Sequence, residues 1–203
     1  MRTLVILIIA LLAMGKHAIA ASIFAQGDLY FESVADHRDI PDGIVTSLVQ
    51  DSQGFIWIGT QQGAVRYDGY QFTPFRHTPG DRNSLAGNYI RTIWNAPDGK
   101  IWFGTFSDGI SVLNPATNRF EHFDLSQDSD SRNGNSIRAI VGEASQRVWV
   151  ATNQGLNYLN PYSKETVAIT AINGCETVYQ DKGPRSLFMD TSQGLWLGTQ
   201  NGL

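Results

Sequence analysis

One cysteine, Cys175, stands among 203 residues, so no disulfide can close within the chain and its stability must come from packing. No His or Asn constellation points at that thiol, and a small buried apolar role is expected for it. Positive charge is scarce: Lys and Arg total 15 against 19 Asp and Glu, a net charge of −4. No basic footprint for nucleic acid is present. After the first fourteen residues no long apolar run occurs, and a bilayer needs about 20 such residues. Stretches with 3.6-residue apolar spacing are missing, which argues against helical repeats. No Gly-x-Ser-x-Gly elbow and no phosphate loop occurs.

What is present begins with a leader pattern. Met1 and Arg2 give a positive start, Leu4 to Met14 are apolar, and Ala18-Ile19-Ala20 supply small residues at a cleavage site. Residues 1–20 are therefore expected to be a signal peptide cut after Ala20. Its removal would take Arg2 and Lys16 and move the net charge from −4 to −6. The mature protein is expected to be exported.

The chain is rich in glycine (20 residues) and aromatics (11%), which suits a turn-rich β protein. Trp57, Trp102, Trp149 and Trp196 are separated by 45, 47 and 47 residues. Each opens a similar phrase: Trp57-Ile58-Gly59-Thr60, Trp102-Phe103-Gly104-Thr105, Trp149-Val150-Ala151-Thr152, Trp196-Leu197-Gly198-Thr199. A period in the 40s matches one four-stranded propeller blade. In the first unit, strands are predicted over Ile44 to Gln50, Phe55 to Thr60, Ala64 to Asp68 and Tyr70 to Arg76, with Gly-bearing turns between them. Phe55-Ile56-Trp57-Ile58 does not alternate with polar residues, so that strand should be covered on both faces. The fold class is all-β: a partial β-propeller of four-stranded antiparallel blades, about three complete and a fourth partial. The predicted repeats run over about 35–76, 84–123, 133–170 and 176–203. The four tryptophans are predicted as the repeat core.

The register extends upstream of each Trp. Val45, Ile90, Ile137 and Pro184 stand twelve residues before it, and Leu48, Ile93, Ile140 and Leu187 nine before it. Eleven before stand Thr46, Arg91, Arg138 and Arg185. Three arginines in one register admit two readings. They form a ring of positive charge that binds a ligand, or each bonds carbonyls or a carboxylate between blades, the commoner duty of a structural arginine. Two units depart from the pattern. Thr105-Phe106-Ser107-Asp108-Gly109 has one extra residue and should bulge. Ala144-Ser145-Gln146-Arg147 lacks the turn glycine and should form a longer or looser hairpin.

Asp51-Ser52-Gln53-Gly54-Phe55-Ile56-Trp57-Ile58-Gly59-Thr60 and its three echoes resemble the two-component regulator propeller repeat. The lead-in Ile40-Pro41-Asp42-Gly43-Ile44-Val45-Thr46-Ser47-Leu48 strengthens the likeness, as do Gly63, Gly109, Gly155 and Gly202 after each motif and the Asn114-Pro115 and Asn160-Pro161 pairs. The likeness covers about residues 27 to 203. It implies a periplasmic sensor whose relatives carry many blades, a small β-sandwich, a membrane helix and a histidine kinase or diguanylate cyclase output. The chain ends inside a blade's second hairpin, so an N-terminal fragment or truncated product is expected. Leu29 to Val34 reads as an outer strand that would latch a closed ring. Implied partners are a small-molecule or oligosaccharide ligand, further blades and downstream signalling domains. Membrane contact is expected only through a part beyond Leu203.

Catalytic chemistry finds little support in the residues. His37, His77 and His122 lack metal-binding spacing. Asp124, Asp128 and Asp130 lie in "DLSQDSDSRNGNS", which departs from a calcium loop at Arg132, Asn133 and Ala139, so a solvated connection is expected. Asp51, Asp98 and Asp190 recur at turns, where Asp bonds local backbone. Neither a cofactor nor a metal is expected. The alternative reading is a propeller enzyme, such as a quinoprotein dehydrogenase or a polysaccharide lyase. It would need vicinal cysteines or calcium carboxylates that the sequence does not offer.

Overall fold

A computed structural model describes residue 40, residues 44–125, 135–144, 147–169 and 183–200, and residue 202. The chain divides into two compact units, residues 1–34 and 35–203, and the first lies wholly outside the described residues. So do the leader, the strand expected over Leu29 to Val34, His37, Cys175, Asp128 and Asp130.

Short β-branched and aromatic runs broken by Gly and Asp turns make every regular element among the described residues a strand. In chain order these are β1 (Val45–Gln50), β2 (Ile56–Thr60), β3 (Gly63–Tyr67), β4 (Phe72–Phe75), β5 (Ile90–Asn95), β6 (Ile101–Thr105) and β7 (Ile110–Asn114). They continue as β8 (Arg119–Phe123), β9 (Ile137–Ala144), β10 (Arg147–Thr152), β11 (Gly155–Asn160), β12 (Glu165–Ile169), β13 (Ser186–Met189) and β14 (Leu195–Gly198). They form three four-stranded sheets, β1-β2-β3-β4, β5-β6-β7-β8 and β9-β10-β11-β12, and one pair, β13-β14. Every neighbouring pair is antiparallel, so each sheet is a meander. The first strands of successive sheets meet: β1 lies against β5, β5 against β9, and β9 against β13. Sheets stacked by their innermost strands are propeller blades.

Stacking explains the uninterrupted apolar strand. All five residues of β6 are buried, because blade 2 is covered on both faces. Ile101 and Phe103 join Trp57, Ile90 and Ile93 in the core between blades 1 and 2. Trp102, one residue out of phase, joins Phe123, Ile137, Val148 and Val150 in the core between blades 2 and 3. Trp57 lies 5.2 Å from the Phe75 ring and 5.6 Å from Phe103, while Trp102 stacks on Phe123 at 5.7 Å.

Burial of the four tryptophans falls along the chain. Trp57 and Trp102 are buried, Trp149 is half-buried, and Trp196 is 52% exposed. Trp57 and Trp102 each pack against the following blade. After Trp149 the described part of the next sheet is only the pair β13–β14, and Trp196 has no following sheet among the described residues. The expectation that Trp196 is core is corrected for this reason. Phe188, its cross-strand partner, is likewise exposed, as are Ile44, Val45 and Leu48 on blade 1.

Glycine and threonine complete the phrase. A Cβ on Gly104 would sit 2.5 Å from Ile137 Cγ2 on the next innermost strand, so these strands approach too closely for a side chain. The threonine after it closes the turn. Thr60, Thr105, Thr152 and Thr199 donate from Oγ1 to the carbonyls of Gly63, Gly109, Gly155 and Gly202 at 2.9, 2.9, 3.1 and 2.9 Å. In blade 2 the ladder between β6 and β7 ends at Gly104 and Ile110, and the extra residue bulges between Thr105 and Gly109. In blade 3 the structure differs from the expected looser hairpin. Ala144 pairs directly with Arg147, and a bulge precedes Val148. Blades 1 and 2 end their first ladder at a five-residue turn, whereas here pairing continues to Ala144 and Arg147, with Ser145 and Gln146 outside the described residues.

Candidate functional site

The register eleven residues before each Trp is where the innermost strands bulge. Pairing skips Thr46 between Val45 and Ser47, Arg91 between Ile90 and Thr92, and Arg138 between Ile137 and Ala139. A bulge turns one side chain out of the pleat and is a common way to aim a residue at a rim. Arg185 stands just ahead of β13, and its N–H donates to Gly198 O at 2.7 Å. The bulges adjoin Thr60, Thr105 and Thr152, so these side chains gather at the end of the blades that carries the second turns.

Each position is held differently. Thr46 Oγ1 donates to Ile90 O of the next blade at 2.6 Å. Arg91 Nη1 donates to Ser136 Oγ of the next blade at 3.1 Å, and its guanidinium lies 4.6 Å over the Phe106 ring. Phe106 in turn stacks on Tyr89 at 5.0 Å and 11°. Tyr89 OH accepts from Gln61 Nε2 at 3.4 Å, which ties two blades together. Arg138 Nε donates to Asn153 Oδ1 at 2.6 Å. Among the described residues, no carboxylate forms an ion pair with any of the three arginines. Burial first, and then the positive charges of Arg91 and Arg185, hold the Arg138 guanidinium below its ordinary value. The strands that carry Arg91, Arg138 and Arg185 adjoin in turn, and the side-chain partners of Arg91 and Arg138 are a hydroxyl and an amide. The extra residue of the second turn supplies Phe106. Its pairing with Arg91 was not legible from spacing, although the added residue marked the place.

Other polar residues noted in the sequence serve structure. His77 Nδ1 lies 2.6 Å from Leu85 O. His122 bridges Ser111 Oγ at 3.2 Å and Arg82 O at 3.0 Å, so both histidines fasten the connection between blades 1 and 2. Asp51 and Asp190 bind turn amides and also the indole N–H of Trp57 and Trp196, both at 2.8 Å. The signal for that second duty was the six-residue interval. Asp98 stands four before Trp102 and pairs with Lys100 at 3.5 Å instead. Among the described residues, no group of three or more His, Cys, Asp or Glu is arranged to hold a metal. No helix there is long and apolar enough to cross a membrane.

Blades stacked by bulged innermost strands, each with a Trp-x-Gly/Ala-Thr second strand, define a β-propeller segment. Residues 39–62, the lead-in and first hairpin of blade 1, match the family model described as Two component regulator propeller, and the chain carries that repeat. A curated relative, "Histidine kinase P4" of Formosa agariphila, is 30% identical over 69 residues, covering 34% of this chain and 5% of the relative. Among solved structures, the extracellular domain assigned to a hybrid two component system of B. thetaiotaomicron superposes with a TM-score of 0.67 at 21% identity. It covers 82% of this chain and 23% of that one. Virginiamycin B lyase from Staphylococcus aureus gives 0.58 at 17% identity, over 81% of this chain and 55% of that one. These likenesses show a shared propeller fold.

Proposed function

We propose that this chain is a sensory propeller segment of an exported membrane signalling protein, a two-component sensor kinase or a diguanylate cyclase. It recognises a ligand or a protein partner and performs no chemistry itself. The observation that carries this reading is the regulator propeller repeat at residues 39–62, set in blades that share one architecture. The fold neighbour from a hybrid two component system and the histidine kinase relative support it. Binding rather than turnover is supported by the site's chemistry. The side-chain partners of Arg91 and Arg138 are a hydroxyl and an amide, and among the described residues no carboxylate is ion-paired with either.

Fractionation of cells expressing the tagged chain tests export. Recovery from the periplasm with a new amino terminus at Ala21 is the expected result, and recovery of intact Met1 in the cytoplasm overturns it. Sequencing downstream of Leu203 in the parent DNA tests the signalling assignment. An open frame running through more blades into a membrane helix and an output domain is expected. A continuous frame ending in an enzyme domain with a quinone cofactor overturns it.

A further inference from the structure

We infer that the bulge arginines Arg91 and Arg138, joined by Arg185, form a binding site for a ligand that carries at least two oxyanion groups and bridges neighbouring blades. Arg91 is clamped twice, by the Ser136 hydroxyl of the next blade and by the Phe106 ring beneath it. Phe106 is itself backed by Tyr89, so the guanidinium has little freedom left to lose on binding. Arg138 is fixed by Asn153. One N–H of each is used by these contacts, and a guanidinium has five. The remaining donors face no paired carboxylate among the described residues.

Like charges in one register, two of them half-buried, cost stability unless a counter-charge arrives. An arginine present only to bond a strand edge would do as well with a neutral amide. Three in one register, one per blade, instead match a row of anionic groups. The planar fork of arginine suits carboxylate, sulfate and phosphate oxygens alike. The ligand class is therefore a multivalent oxyanion. Recognition of its anionic groups is set by this row, and recognition of the rest of it by the surrounding turns.

This inference rests on reading the chain as a binding module, and it fails separately from that reading. The test is calorimetric titration of the full chain with citrate, pyrophosphate and inorganic sulfate at low salt, beside Arg91→Gln, Arg138→Gln, Arg185→Gln and the control Arg147→Gln, at the end of β10 away from the second turn. Saturable binding of citrate or pyrophosphate, tighter than sulfate, is expected. It should weaken about tenfold or more in each register variant, remain unchanged in the control, and fade as salt rises. Preference for citrate or for pyrophosphate tells carboxylate from phosphate ligands. Arg185 is exposed, so its variant should keep the fold and keeps the test decisive if another variant does not. Absence of saturable binding by all three anions, or equal loss in the control, overturns the site. An exported chain fused to a signalling domain that binds none of them loses this inference and keeps the sensor reading.

Discussion

The indole Nε1 of Trp57 donates to Oδ2 of Asp51 at 2.8 Å, six residues upstream. Trp196 and Asp190 repeat the bond at 2.8 Å. In both blades the same carboxylate also receives turn amides, so one Asp ties the first hairpin to the blade's central ring. Blade 2 has Ala96 at that interval, and the buried Trp102 Nε1 has no hydrogen-bond partner among the described residues. Blade 3 has Glu143, which lies 4.0 Å from Arg147 instead.

This difference predicts unequal costs for one substitution. Trp57→Phe loses packing and a hydrogen bond, and leaves Asp51 short of a donor. Trp102→Phe removes a buried donor that is already unpaired. Urea melts should show Trp57→Phe costing about 1 kcal/mol more than Trp102→Phe. Equal costs would mean that the Asp51 bond adds nothing.

Complete removal of the ring separates core from edge. A buried Trp removes roughly 200 Å² from water, about 5 kcal/mol before opposing terms. Trp102→Ala should therefore destabilise by about 3–5 kcal/mol in a urea melt. Trp196→Ala, at an exposed position, should cost under about 1 kcal/mol in this chain. A small loss at Trp102 would remove it from the core.

The innermost strands set a graded tolerance at the motif glycines. A Cβ on Gly104 would meet Ile137 Cγ2 at 2.5 Å and Thr92 Cγ2 at 2.7 Å, whereas one on Gly59 would meet Ile90 Cγ2 at 3.0 Å. Gly104→Ala should cost about 1–3 kcal/mol and Gly59→Ala less, measured by thermal or urea unfolding. The reverse order would contradict the close approach of blades 2 and 3.

Acid should loosen two turns. The Trp196 indole N–H, then the Gly194 amide, hold the Asp190 carboxyl below its ordinary value of 3.8. The Gln71 and Tyr70 amides do the same for Asp68. Folded values lie below unfolded ones, so this support is fully present above the ordinary aspartate range. It is lost as pH falls through the lowered folded values. Carboxyl titration by NMR should find both groups titrating low, and Trp196→Phe should return Asp190 toward 3.8. No change in Asp190 on that substitution would show that the indole does not set it.

Much of the architecture was legible in residue order. The Trp-x-Gly/Ala-Thr phrase, its spacing and the flanking turn residues located the strands of the first blade to within two residues at most ends. These are local matters: turn chemistry and apolar phase act over a few residues. The bulge positions were legible as a register but not as bulges, because a bulge is a relation between two strands. The third-blade hairpin was misjudged for a similar reason. Loss of Gly and Asp bears on one turn, whereas how far the strands pair is a relation between β9 and β10.

The sequence by itself determined an all-β repeat with one Trp-x-Gly/Ala-Thr phrase per blade and an arginine register three blades long. Only the tertiary structure decided which tryptophans are buried, since a Trp needs the next sheet against it. It likewise decided that Arg91 rests on Phe106 and reaches Ser136 of the neighbouring blade. Period and composition follow from order along one chain, whereas burial and charge pairing arise between blades far apart in that order.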